Sequence, residues 1–323
     1  MKEKQTISIK ICLYENTSIV KKWFKEMLLF TPTHMTLPSR TKSTTKKYKQ
    51  DYFFERLNKE FLVDIYKISC SDDINNIHCF KNSTSKDVMI CSASIDIKLY
   101  KTSEKSIMSL IDEIMNTTGI VAIIYNLNDW FWQNNTQLNI YEWKNRSLDG
   151  IPLKPHRIFK NEMAVDVEKF PGYDEQIDSI WFGAAWKMWF GEPYYEFISK
   201  EAIENFKDCY KNEKTAGNCR CITLYEDMDD YENPANRARQ WKFKEAIDFQ
   251  NVIEKLRETG INRVDDPELE IEIGEFAHGG IRLFKGYFDD EGNSVPKSKA
   301  SKMKISEHGT DGSVLWEDEH NML

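Results

Sequence analysis

The residues of this chain best suited to chemistry are its histidines, its clustered carboxylates and its aromatics. Six histidines occur (His34, His78, His156, His278, His308 and His320), and none has the spacing of H-E-x-x-H or another metal-ligand pattern. His278, in Ala277-His278-Gly279-Gly280, is the best placed for close approach to a substrate, because two glycines follow it. Together with Glu275 it defines an enzymatic alternative, a His–carboxylate pair acting at a lobe boundary. Gly-Gly is also a hairpin signal, and a turn between two strands is the stronger reading. The chain contains no G-x-G-x-x-G, G-x-x-x-x-G-K-[ST] or G-x-S-x-G, so it lacks the phosphate cradle and the nucleophile elbow. Seven cysteines are irregularly spaced, and Cys219-Arg220-Cys221 is their only close pair. Without a second pair at zinc spacing these read as structural thiols. The sequence calls for no catalytic residue, no metal and no cofactor.

Carboxylates and aromatics point instead to binding. Glu226-Asp227-Met228-Asp229-Asp230-Tyr231-Glu232 places five carboxylates in seven residues. It lacks the glycine and glutamate of an EF-hand loop, as does Asp289-Asp290-Glu291-Gly292-Asn293. A charge run usually faces water, and the functional reading of Glu226, Asp227, Asp229, Asp230 and Glu232 is a docking surface for a basic protein. The segment Glu268-Leu269-Glu270-Ile271-Glu272-Ile273-Gly274-Glu275 puts apolar residues on one strand face and carboxylates on the other. Like charges along one face repel, so either Arg282, Lys285, Lys302 and Lys304 on later strands or a basic partner must neutralise them. The string from Trp181 to Tyr195, WFGAAWKMWFGEPYY, has helical spacing with aromatics all round. Trp189, Tyr194 and Tyr195 are therefore candidate anchors for the same partner.

Global composition agrees with a folded, soluble chain. The 323 residues carry 44 Lys+Arg against 52 Asp+Glu, a net charge of −8, and 41% are hydrophobic. Those values exclude disorder as the main state. No apolar run has the length of a membrane span, and the first residues lack the apolar core of a secretory signal. A cytoplasmic protein is the expectation. Charge is uneven along the chain: residues 1–160 hold 24 basic and 17 acidic residues, net +7, and residues 161–323 hold 20 and 35, net −15. An acidic lobe attracts basic partners and repels nucleic acid. The basic stretch at residues 40–49 is read as a solvated loop. Its alternative is a phosphate contact in a phage or mobile-element accessory protein.

The elements that must position these residues form an α+β fold in two lobes, 1–150 and 151–323. In the first, Ile7, Ile9, Ile11 and Leu13 mark a strand, and Asn16-Thr17-Ser18 caps a helix to about Leu29. Residues 31–49 read as a loop, 51–61 as a short helix, 62–69 as a strand. Val88 to Tyr100 is predicted as a strand with one face in water, followed by a helix from Ser103 and a buried strand from Ile120 to Tyr125. That order is ferredoxin-like, a split βαβ with an insertion. In the second lobe, helices are predicted over 174–190, 199–210 and 235–258. A mostly antiparallel sheet follows over 269–276, 281–288, 302–306 and 314–316.

The W-x-M-W-F-G-x-P-Y-Y string, within a large acidic α+β chain without catalytic motifs, resembles bacterial immunity proteins of polymorphic toxin systems. The resemblance covers Val165 to Phe206 and rests on an aromatic helix end. It implies a non-enzymatic protein that binds and neutralises a cognate toxin. The basic first half departs from the uniformly acidic pattern of many nuclease inhibitors, which leaves the toxin's class open.

Overall fold

The computed structural model of the chain describes residues 5–37, 44–59, 66–81, 88–156, 162–215, 218–259, 269–310 and 312–322. Alternation builds β1 (Thr6–Tyr14), with Ile7, Ile9 and Ile11 buried on one face and Cys12 on the other. Asn16 caps α1 (Thr17–Met27), its Oδ1 accepting from the N–H groups of Ser18 and Ile19. Then follow β2 (His34–Leu37), β3 (Thr44–Lys47), α2 (Gln50–Lys59), β4 (Tyr66–Ser71) and β5 (Asn76–Lys81). Next, β6 (Val88–Asp96) runs directly into α3 (Ile97–Met115). Asp96 caps that helix by accepting from Lys98 N–H at 2.8 Å, which ends the strand four residues before Tyr100 and starts the helix before Ser103. Cap chemistry outweighs the alternation there. Ser92 is also buried, so the expected water-facing side of this strand is covered in part. Further along come β7 (Gly119–Asn126), buried throughout, α4 (Leu127–Asn134), α5 (Leu138–Trp143), β8 (Leu153–Pro155) and β9 (Met163–Val165).

Residues 174–190 are the largest departure from expectation. They form no helix but three short strands, β10 (Glu175–Ile177), β11 (Ile180–Phe182) and β12 (Lys187–Phe190). Asp178 and Ser179, at φ 46° and 69°, make the turn between the first two. β12 lies between two other strands and is covered on both faces. A strand in that position reads as a continuous apolar run, which periodicity alone does not separate from a buried helix. Gly191, just beyond it, donates to Ile120 O at 2.9 Å, and a Cβ there would fall 2.2 Å from Gly119 O. Only glycine allows that close approach. The rest comprises α6 (Lys200–Asn205), shorter than expected, β13 (Lys211–Lys214), β14 (Arg220–Thr223), α7 (Pro234–Ala246) and α8 (Phe249–Thr259). The last four strands are β15 (Leu269–Ile273), β16 (Arg282–Phe288), β17 (Lys302–His308) and β18 (Val314–Asn321).

The fold is α+β with antiparallel sheets. Ten strands share one sheet in the order β13-β14-β12-β7-β1-β6-β5-β4-β2-β3. Its centre, β7-β1-β6-β5, is antiparallel throughout, and three further strands extend it at each side, beyond the four-stranded ferredoxin-like unit expected. The other strands form the meander β15-β16-β17-β18 and two hairpins, β8-β9 and β10-β11.

Two compact units result, and both are discontinuous in sequence. The larger holds residues 1–137 and 166–254, the smaller residues 138–165 and 255–323. Strands β12, β14 and β13, from beyond residue 150, thus belong to the same sheet as β1 to β7. This interleaving cancels the charge asymmetry of the sequence halves. The larger unit holds 30 basic and 34 acidic residues and the smaller 14 and 18, so each is net −4. Among the described residues, no helix is long and apolar enough to cross a membrane.

Candidate partner-binding surface

Two of the predicted anchors lie in the core. Trp189 is 1% exposed, and its Nε1–H donates to Asp112 Oδ1 on α3 at 2.9 Å. Tyr194 is fully buried, its ring 5.5 Å from Phe182 and 5.2 Å from Phe190. Neither offers surface to a partner, which corrects the sequence expectation: a sheet covered on both faces needs large rings to fill both layers. Tyr195 is half-buried, with Lys200 Nζ 5.1 Å from its ring.

The acidic loop keeps its exposure but spends most of its carboxylates locally. Asp227 Oδ1 accepts from Asp229 N–H at 3.0 Å. Asp229 meets Asn126 Nδ2 and Lys101 Nζ, each at 3.5 Å. Asp230 accepts from the amides of Asn233 and Asn236 at the start of α7, and Glu226 accepts from the Tyr210 hydroxyl at 3.2 Å. Glu232 is exposed. Loop residues 40–43 lie outside the described residues, and residues 44–47 form β3 at the edge of the large sheet.

Ionisable groups buried in the larger unit are packed for structure. Asp174 Oδ2 accepts two indole N–H bonds, from Trp181 at 2.7 Å and Trp130 at 2.9 Å. Burial pushes this carboxyl up, against the pull of Lys10, the two indoles and Lys244. Beside it, the Asp129–Arg237 ion pair and Gln240, which donates to Ala184 O at 3.2 Å, close the space to about 10 Å³. That is room for one water at most. Lys244 is 3% exposed, with Nζ 4.6 to 5.3 Å from the rings of Phe249, Trp241 and Tyr173. Burial lowers its pKa to about 7, against the pull of Asp174. Cys219 and Cys221 are each 4% exposed, and burial raises the Cys221 thiol to about 12. A larger cavity, about 520 Å³, lies among residues of α1, α2 and the segments next to them. Leu28, Phe30, Tyr48 and Phe54 wall it with Lys25 and Gln50, and among the described residues its lining holds no histidine or carboxylate for acid–base work.

The smaller unit carries the other candidates. His278 occupies the turn between β15 and β16, as the Gly-Gly signal required, with Gly279 at φ +84°. Its Nδ1 lies 2.8 Å from Glu307 Oε1, so the carboxylate it meets is Glu307 on β17 and not Glu275. Glu307 Oε2 also accepts from His278 N–H at 2.9 Å and Gly280 N–H at 3.3 Å. Burial raises the Glu307 carboxyl, but these donors outweigh it and hold it below the usual range. The imidazole stacks on Trp316 at 4.7 Å and 6°. His278 thus fastens a hairpin to its sheet. Ser306 Oγ and His308 Nε2 lie 2.9 Å apart, with His308 Nδ1 3.2 Å from Gly312 O. That is nucleophile–base spacing on the open face of a sheet, between residues two apart on one strand, where the pleat alone brings them together.

On β15 the aliphatic residues do not go inside: Leu269, Ile271 and Ile273 are 59%, 53% and 62% exposed. The carboxylates of Glu270 and Glu272 face the side that holds Tyr287, 1% exposed, and each has a partner there. Lys285 Nζ lies 2.6 Å from Glu272, while Lys297 Nζ (3.1 Å) and the Tyr287 hydroxyl (2.6 Å) serve Glu270. Of the four cations expected to neutralise this face, Lys285 does so. Lys302 and Lys304 pair instead with Glu319 and Glu317 on β18. Among the described residues, nine of the fourteen exposed large hydrophobics belong to the smaller unit, although it is less than a third of the chain. They include Trp143, 72% exposed. Sequence reading missed Trp143, Glu307 and Trp316. Trp143 stands amid charged residues in Glu142-Trp143-Lys144, a signal for an exposed aromatic, whereas nothing local marks the other two as partners of His278.

No family model matches this sequence, and no curated protein matches it either. The structure is similar to that of the T6SS protein PA0821 of Pseudomonas aeruginosa. The TM-score is 0.45 at 8% identity, over 75% of this chain and 76% of that one. A likeness that loose carries no functional argument. Among the described residues, no group of three or more His, Cys, Asp and Glu is arranged to hold a metal ion.

Proposed function

We propose that this chain is a non-enzymatic binding protein whose smaller unit docks a basic protein, and that it acts in the cytoplasm as an immunity protein neutralising a cognate toxin. The observation that carries the binding reading is β15, where three aliphatic residues in a row on one strand face are exposed. Burying three such side chains stabilises a complex by about 1.5–3 kcal/mol each before the costs of association. Leaving them in water exposes an apolar edge, which isolated sheets avoid. Trp143 adds an aromatic of the kind that dominates interface energetics. The toxin assignment rests on the resemblance of the aromatic string. In this structure that string forms β11, β12 and the turn after them, and its role is in the core. Neutralisation proceeds by steering of the basic partner and occlusion of its active site.

The test is co-expression with the C-terminal domain of a large secreted protein encoded beside this chain's gene. The wild-type chain should co-purify with that domain and relieve its growth arrest. Ile271→Ser/Ile273→Ser should bind at least tenfold more weakly. A toxin that stays fully active beside an excess of folded chain would remove the immunity reading, and undiminished binding by the double variant would remove the surface.

A further inference from the structure

The exposed aliphatics belong to a strand whose outer edge is open. Among the described residues, β15 pairs with β16 alone. Gly274 N–H donates to Ile281 O at 3.1 Å and Phe276 N–H to Gly280 O at 3.0 Å, so even-numbered residues direct their main-chain groups to the hairpin partner. By the alternation of an antiparallel ladder, Leu269, Ile271 and Ile273 direct theirs to the outer edge. Their side chains are also exposed. Donors, acceptors and apolar groups therefore coincide on the same three residues.

Charge then selects the occupant. From Leu269 to Glu275 the sequence holds three carboxylates (Glu270, Glu272, Glu275) and no lysine or arginine. A second copy of this chain fits poorly. Pairing two β15 strands antiparallel about Ile271 sets Glu270 of one opposite Glu272 of the other, and a shift of two residues sets Glu270 opposite Glu270. Directly opposed like charges are destabilising. An incoming strand with lysine or arginine at those positions gains where the second copy loses. Each carboxylate has lone pairs left after meeting Lys285, Lys297 or Tyr287.

We infer that the partner contributes an extended segment alternating aliphatic and Lys/Arg residues, which adds to the outer edge of β15 as a further strand of the meander. Main-chain bonds to Leu269, Ile271 and Ile273 supply the register, and the alternation of the segment supplies the selectivity. The inference rests on the reading of the smaller unit as the docking surface and names the chemistry of what docks there.

Two fluorescein-labelled, end-capped heptapeptides test it against the full chain by anisotropy, one alternating lysine and valine, the other glutamate and valine. The Lys–Val peptide should bind about tenfold tighter or better. N-methylation of its alternate amides should abolish binding, which separates strand pairing from charge attraction. Glu270→Lys/Glu272→Lys should reverse the preference, a gain that misfolding does not imitate. Equal affinity for both peptides, binding that survives N-methylation, no binding at all, or a dimer of the chain that competes with the peptide would each overturn the inference. If the peptides fail while Ile271→Ser/Ile273→Ser still releases the co-expressed partner, strand addition falls and the docking surface stands. If that variant keeps its partner, the surface itself falls.

Discussion

Lys244 is a cation kept where water does not reach, with a carbonyl oxygen of Phe170 at 3.3 Å and three aromatic rings around it. Its folded pKa, about 7, lies below its ordinary 10.5 because burial penalises the charge. Below pH 7 both the folded and unfolded states carry the proton, and the penalty is complete. Between pH 7 and 10.5 the unfolded chain binds more protons than the folded one, so the stability contribution rises with pH. Urea midpoints measured from pH 7 to 9.5 should therefore climb for the wild type relative to Lys244→Met, whose slope lacks this component. A parallel pair of curves would mean that Lys244 keeps an ordinary pKa. Two buried aromatics make a second contrast. Trp189→Phe removes the bond to Asp112 and should cost about 1–2 kcal/mol. Among the described residues, the Tyr194 hydroxyl is buried with no hydrogen-bond partner. Tyr194→Phe should raise stability by about 1 kcal/mol, since a buried unpaired polar group is a cost. Chemical denaturation of both variants checks the opposite signs.

At the scale of elements, the acidic loop is tied into the fold while β15 presents exposed aliphatics. Asp230 holds the first turn of α7 through Asn233 and Asn236. Charge reversal of Asp227, Asp229 and Asp230 to Lys should thus lower the melting temperature by several degrees as well as slow association, the lost hydrogen bonds being worth about 1 kcal/mol each. Ile271→Ser/Ile273→Ser should leave the melting temperature within about one degree of the wild type, because side chains this exposed contribute little to the fold. Calorimetry on both variants separates a structural loop from a binding strand. A large loss in the β15 variant would show that those aliphatics are covered in the folded chain.

For the whole molecule, charge must be counted by unit rather than by sequence half. Both units are net −4, so long-range attraction for a basic partner comes from the entire chain and not from an acidic lobe. The association rate with such a partner should fall as ionic strength rises from 10 to 150 mM, while the dissociation rate, set by the buried apolar contacts, changes little. Stopped-flow mixing resolves the two. A salt-independent association rate would argue against a charged partner.

Local signals sufficed for β1, α1, the hairpin at His278 and the last four strands. Alternation, an Asn cap and Gly-Gly turns act over a few residues, and no distant contact overrides them. The antiparallel α+β class followed from those elements. Residues 174–190 were illegible because burial on both faces of β12 erases the difference between helix and strand. The split at residue 150 gave no hint that β12, β13 and β14 return to the first sheet, since partners distant in sequence leave no local mark. For the same reason only the tertiary structure joined His278 to Glu307, placed Trp189 and Tyr194 in the core, and set the aliphatics of β15 outward. Alternation tells that a strand has two faces, and the packing around it decides which one meets water.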